Sequence, residues 1–420
     1  MALLRELRSL TAIQRNTFAA CFLAWTLDAF DFFLLTLCLK AIAADFHVSI
    51  PQIAEAIFWT LAMRPVGALL FGVLAEKFGR RPTLMLNVVA FSVFVLASAF
   101  APSLTSFMVC RALFGIAMGG VWGVGAALAL ETLPASGRGF FSGVLQEGYV
   151  VGNLLAAALY GLLFAHLHGT GMFTAWRVMF MVGALPALLA LFMQFKVAES
   201  PVWLASREKE RLSGFKKSTF DWTSFKAYLP SFLFLVLLMT AFTSFSHGTQ
   251  DLYPTFLEKD HLLEPSRVGL IVVIGSLGAL FGGICCGAVS ERFGRKRTII
   301  VAALCALPIV PLWAWSNSVL SLAVGGFLMQ FAVQGAWGVV PAHLNELSPG
   351  PVRAIFPGLA YQLGNLCSSR NGVFQATLAA RYHGGALRIV MTGTAIVAAL
   401  LVAGITAMGR EAKGETWIDA

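Results

Sequence analysis

Twelve apolar runs, each about the length of a membrane-crossing helix, follow one another along this 420-residue chain. They fall at about 17–40, 52–76, 83–101, 104–131, 138–165, 176–197, 228–257, 267–291, 297–315, 319–346, 354–380 and 388–409, punctuated by Gly, Pro and charged residues. A helix needs about 20 apolar residues to cross a bilayer, whose hydrocarbon leaves no partner for unpaired backbone groups. At 58% hydrophobic and 12% charged residues, with a mean hydropathy of +0.78, the chain lies far from a soluble domain, which carries about 25% charge. The runs predict an all-α membrane protein with 12 transmembrane helices.

Charge sets the expected orientation. Most of the 30 Lys and Arg residues, among them Arg5, Arg8, Arg15, Lys77, Arg80, Arg81, Lys216, Lys217, Arg292, Arg295 and Lys296, fall on one side if the N-terminus is cytoplasmic. That bias marks the cytoplasmic face, so both termini are expected there. The net charge of +9 has the same origin and implies no nucleic-acid partner. The first run is too long for a signal h-region and is expected to stay as a helix. The seven cysteines sit in apolar stretches without metal-ligand or disulfide spacing, so no metal and no cofactor are expected. No phosphate-cradling loop or nucleophile elbow points to an enzyme.

The chain repeats itself. Gly-Val-Leu-Ala-Glu-Lys-Phe-Gly-Arg-Arg-Pro-Thr from Gly72 returns as Gly-Ala-Val-Ser-Glu-Arg-Phe-Gly-Arg-Lys-Arg-Thr from Gly287, an offset of 215 positions. The same offset pairs Gly120 with Gly335, Trp122 with Trp337, Glu131 with Glu346, Arg138 with Arg353 and Gly143 with Gly358. Both copies lie on the expected cytoplasmic side, so the repeat predicts two parallel six-helix halves, 1–198 and 228–420, joined by a polar linker at 199–227. Such halves hold substrate between them near the midplane.

Charges inside the runs mark that midplane. Even the lenient insertion scale assigns about 2.5–3.5 kcal/mol to a charge at the bilayer centre. Asp28 and Asp31 share one helical face, and two close carboxylates in low dielectric do not both ionise cheaply, which suits a proton carrier. Arg64 stands about 18 Å from either helix end, beyond snorkelling, and must face a polar cavity. Arg370 lies about three residues from the centre of the eleventh run. Both offer a planar fork for a carboxylate, so the expected partners are a small organic anion, protons and the bilayer. Arg111 opens the apolar part of the fourth run. His247 and Asp251 form an i, i+4 pair with Gln250 beside them, the arrangement of a proton relay.

The two Gly72 and Gly287 loops resemble the G-x-L-x-D-R-x-G-R-R/K signature of the major facilitator superfamily, with Glu76 and Glu291 in place of Asp. Ala-Glu-Ser-Pro-Val-Trp-Leu at 198–204 resembles the segment after the sixth helix of sugar and organic-acid porters. Arg111-x-x-x-Gly115-x-x-x-Gly119 is similar to a further superfamily pattern. Ser246-His247-Gly248-Thr249-Gln250-Asp251, ending at Thr255, resembles the N-x-x-S/T-H-x-S/T-Q-D-x-x-x-T signature of Jen-type lactate/pyruvate:proton symporters, within the sialate:proton symporter family. Every fixed position matches except the first, where Thr243 keeps a hydrogen-bonding side chain and loses the amide.

The resemblance implies alternating access. Glu76 with Arg80, Glu291 with Arg295, Glu131 with Arg138 and Glu346 with Arg353 become gate contacts that break as the halves rock. Arg64, Arg370, His247, Gln250 and Thr243 become substrate contacts, and Asp28, Asp31, Asp251 and His247 carry the proton. The expected function is proton-coupled symport of small monocarboxylates such as lactate or pyruvate, by a monomer in the inner membrane. Aromatic acids, dicarboxylates or sialate are the alternative substrates. The fifth run lacks the Gly-Pro pattern of drug antiporters.

Overall fold

The computed structural model describes residues 10–164, 167, 169, 173–213, 222–381 and 386–414; Arg5, Arg8, Lys216, Lys217 and part of the linker lie outside them. Among the described residues the secondary structure is helical throughout, with no strand. The first half comprises α1 (Ala12–Asp45), α2 (Ile50–Phe78), α3 (Arg80–Ala99), α4 (Leu104–Thr132), α5 (Arg138–Gln146), α6 (Gly148–Leu163), α7 (Ala175–Val182) and α8 (Ala187–Lys196). After α9 (Pro201–Ser213) come α10 (Trp222–Gln250), α11 (Tyr253–Lys259), α12 (Pro265–Phe293), α13 (Arg295–Ala314) and α14 (Val319–Leu347). The chain closes with α15 (Phe356–Ser368), α16 (Asn371–Ala380) and α17 (Ala386–Met408).

The 215-residue offset holds in three dimensions. It carries α2 onto α12, α3 onto α13 and α4 onto α14, end for end. At both α2–α3 and α12–α13 the chain turns on one glycine, Gly79 at φ 106° and Gly294 at φ 93°. Those angles are open to glycine and strained for other residues, which fixes the two loops in one shape.

Ten helical stretches among the described residues are long and apolar enough to cross a membrane. The fifth and eleventh predicted crossings are each broken in two, at Glu147 between α5 and α6 and at Ser369–Arg370 between α15 and α16. The sixth bends at Gly183–Pro186, between α7 and α8. Large apolar side chains such as Leu162, Phe195, Leu320 and Met408 point outward, as expected of a multi-pass membrane protein whose solvent is lipid.

Small residues set how close the helices come. A methyl group added at Gly115 or Gly119 of α4 would collide with the backbone carbonyls of Thr60 or Arg64 on α2. The four-residue spacing from Arg111 therefore puts a smooth stripe against α2 and holds Arg64 at a fixed depth.

Candidate functional site

A cavity of about 410 Å³ lies between the two halves. The first half contributes Phe32, Phe33, Arg64, Gln146, Tyr149 and Asn153; the second contributes Thr243, Ser246, His247, Gln250, Asp251, Gln330, Trp337, Tyr361 and Asn365. Arg64, next to Pro65 inside the unbroken α2, is 4% exposed, and its Nε and Nη2 meet no hydrogen-bond acceptor among the described residues. Its guanidinium faces the Tyr361 ring across the interface at 5.9 Å. Tyr361 in turn packs on Trp122 at 4.8 Å and Trp337 at 5.7 Å, making an aromatic floor. The indole of Trp122 donates to Gln146 Oε1 at 3.1 Å.

Behind Arg64 lies a cluster of buried charge. Asp28 and Asp31 are 0% and 1% exposed, and neither carboxylate finds a hydrogen-bond donor among the described residues. Asp28 sits in the fields of Arg64 and Arg111, and Asp31 in the field of Arg111. The Arg111 guanidinium rests on the Phe114 ring at 4.0 Å. Two acids and two bases thus share one region of the first half, and Arg64 alone of the four lines the cavity.

The other half answers with neutral polar groups and one pair. His247 Nδ1 lies 3.2 Å from both Asp251 oxygens, and Gln250 Nε2 donates to Gln330 Oε1 at 2.6 Å. Thr243, expected as a substrate contact, lines the cavity and is also tied to its neighbours. Its hydroxyl bonds to Met239 O at 2.8 Å and Gly364 O at 3.0 Å and accepts from Ser368 Oγ at 2.5 Å. It is 1% exposed and serves as a joint between α10 and α15. Arg370, the other arginine expected as a substrate contact, is exposed at the break between α15 and α16, and the lining of this cavity does not include it.

The two glycine-turn loops lie together at one end, here termed the loop end. Arg80 bonds Glu76 at 3.1 Å and Glu131 at 3.2 Å, and Ser200 Oγ also meets Glu131. Arg295 bonds Glu291 at 3.1 Å and Glu346 at 3.0 Å. These ion pairs stay within their own halves. What crosses is the second bond of each loop glutamate. Glu76 Oε1 accepts the Ala354 N–H at 3.1 Å, and Glu291 accepts the Gly139 N–H. Gly139 and Ala354 are themselves partners under the 215-residue offset, so the two bonds form one symmetric clasp at helix starts, where free N–H groups favour anions. Ser142 adds a bond to Gly338 O and one from Ala342 N–H, both at the same end. Arg138 bonds Leu130 O at 3.2 Å and lies in the fields of Glu346, from the other half, and of Glu131; Arg353 is buried beside it.

The Major Facilitator Superfamily model matches residues 21–369 of this chain. The chain belongs to that superfamily. It is 28% identical to a carboxylic acid transporter protein homolog of Saccharomyces cerevisiae over 90% of its own length, and it spans 63% of that longer relative. It is 28% identical to the sialic acid transporter NanX of Escherichia coli, with 93% of each chain covered. Its fold matches the proton:xylose symporter XylE with a TM-score of 0.77 at 20% identity, over 97% of this chain and 98% of that one. Its relatives are transporters, not enzymes.

Two features of this facilitator site have faint sequence signals. The repeat pairs Trp122 with Trp337, but the same offset sets Gln146 opposite Tyr361, so nothing in the sequence marks the tyrosine as the floor. Glu199 follows α8, outside the spans, and accepts the Arg80 N–H at 3.0 Å and the Arg81 N–H at 3.2 Å; Glu411 does the same for Arg295 and Lys296. Burial pushes the Glu199 carboxyl above its usual range, and the Ser200, Arg81 and Arg80 amides draw it back.

Proposed function

We propose that the chain is a proton-coupled symporter of organic monoanions, with the substrate carboxylate held on Arg64. The observation that supports this is the position of Arg64 between two claims on one guanidinium. On one side is the cavity; on the other is Asp28, which lies in the Arg64 field and meets no hydrogen-bond donor among the described residues. An arriving carboxylate takes part of the Arg64 charge away from Asp28, and protonation of Asp28 removes the deficit. Proton and anion therefore favour each other, and the loaded site crosses neutral. The His247–Asp251 pair offers a second proton position on the opposite wall.

In this reading residues 1–198 and 228–420 rock about the cavity, with 199–227 linking them. The loop end is cytoplasmic, by the excess of Lys and Arg there. Closed at that end, the structure is then outward-facing. Lactate and pyruvate are the first substrates to try. A larger ring-bearing or sialate-like acid is the second reading, favoured by a volume within the roughly 300–1,000 Å³ range of sites for larger ligands and by aromatic walls. Competition binding to the purified protein separates the two. Lactate, an aromatic monocarboxylate, a dicarboxylate and sialate are each titrated into wild type and Arg64→Ala. Binding of a monoanion that weakens at least tenfold in the variant supports the assignment. Equal binding to both proteins contradicts it.

A further inference from the structure

We propose that Glu147 holds a proton whenever the loop end is closed, so that closure takes one proton from the water on that side and opening returns it. The inference rests on the rocking motion above, and not on symport.

Glu147 stands at the break between α5 and α6 and is 2% exposed. Neither of its oxygens meets a hydrogen-bond donor among the described residues. Oε1 lies against Gly283 of α12, in the space that a Cβ at that glycine would take. The carboxyl is therefore clamped between the halves, one turn from Ser142, whose hydroxyl bonds Gly338 and Ala342 of α14. Surrounding elements carry titratable and charged groups, but these are engaged elsewhere. Asp28 of α1 lies with Arg64 and Arg111; Glu291 of α12 and Glu346 of α14 bond Arg295. Arg138 of α5 bonds Leu130 O and lies in the field of Glu346. His343 of α14, Cys285 and Cys286 of α12, Tyr149 of α6 and Tyr361 of α15 are further titratable groups on these elements, and burial is what acts on the Glu147 carboxyl.

An ionised carboxylate with no partner in such a place is heavily disfavoured; a neutral carboxyl is not. Parting the halves lifts Gly283 away and lets water reach the group, where ionisation is free to occur. The repeat supplies an independent comparison: Gln362 occupies the equivalent position of the second half, is 1% exposed, and is neutral by nature. A buried uncharged side chain of this size is thus accommodated at the repeat position inside α15, and since neither Glu147 oxygen has a donor to lose, Glu147→Gln is expected to fold.

The test follows loop-end separation by spin-label distances between Lys77→Cys and Arg292→Cys, in full-length protein without native cysteines, in nanodiscs from pH 5 to 9. With Glu147 the open-to-closed ratio is expected to rise with pH, by up to tenfold per unit for one proton. Glu147→Gln is expected to stay closed with no slope, and Glu147→Asp to keep a slope. Glu291→Gln, which weakens the clasp but leaves Glu147 in place, is expected to open more while keeping its slope. A flat wild-type profile, a sloping Glu147→Gln, or a slope lost in Glu291→Gln instead would overturn the proposal. Proton-driven uptake is scored separately. A slope without such uptake supports Glu147 and sinks symport, while uptake without a slope sinks Glu147 alone.

Discussion

Replacing Glu76 and Glu291 by glutamine tests whether the symmetric clasp holds the loop end shut. Each carboxylate makes a charge-assisted bond across the interface, to Ala354 N–H or Gly139 N–H. Bonds to charged groups contribute about 1.5–3 kcal/mol net and neutral ones about 0.5–1.5 kcal/mol, so the amide loses about 1–1.5 kcal/mol per bond. That is about a 5- to 12-fold fall in the closed-to-open ratio for one substitution, and roughly 30- to 150-fold for both if they act independently. The arginines keep partners, since Arg80 retains Glu131 and Arg295 retains Glu346, so the halves themselves stay intact. Ser142→Cys gives the readout, because residue 142 is fully buried at the closed end. In a background without native cysteines, its alkylation rate by a maleimide tracks the open fraction. The rate is expected to rise with each glutamine, and most in the double variant. An unchanged rate in the double variant refutes the clasp.

Three further outcomes follow. Asp28→Asn removes the carboxylate that competes for Arg64, so substrate exchange persists while uptake against a gradient is lost, as measured by counterflow and by proton-driven uptake. Gly119→Ala drives a methyl group into the Arg64 carbonyl and destabilises the fold by about 1–3 kcal/mol, read as a lower unfolding temperature in detergent. Thr243→Val breaks the joint to Ser368 and Gly364 while leaving the cavity cation in place; stability falls by about 1–3 kcal/mol, and substrate affinity changes less than it does in Arg64→Ala.

The fold is legible in the sequence to an unusual degree because two strong constraints coincide. Lipid demands apolar helices that satisfy their own backbone, and the repeat fixes much of the second half once the first is read. The 215-residue offset taken from the loop motif carries the helices α2 to α4 onto α12 to α14 without a shift. Arg64 is equally legible, since a central arginine needs a cavity and the structure gives it one. Placement at helix breaks is less legible. Arg370 and Glu147 both sit between two helices, and run length does not mark such breaks. Thr243 matches a family position, yet its hydroxyl is taken by backbone and Ser368. The expected gate residues pair within each half, and what the sequence does not show is that Oε1 of each loop glutamate accepts both from its own arginine and from a backbone N–H of the opposite half.

The most direct test of proton-coupled anion transport on Arg64 is uptake into proteoliposomes under an imposed inward proton gradient. The labelled substrate is lactate, followed by any acid that binds more tightly in competition. Wild type is expected to accumulate the acid, to lose accumulation when an uncoupler collapses the gradient, and to lose it again in Arg64→Ala. Accumulation that ignores the uncoupler, or that survives in Arg64→Ala at wild-type rate, contradicts the assignment.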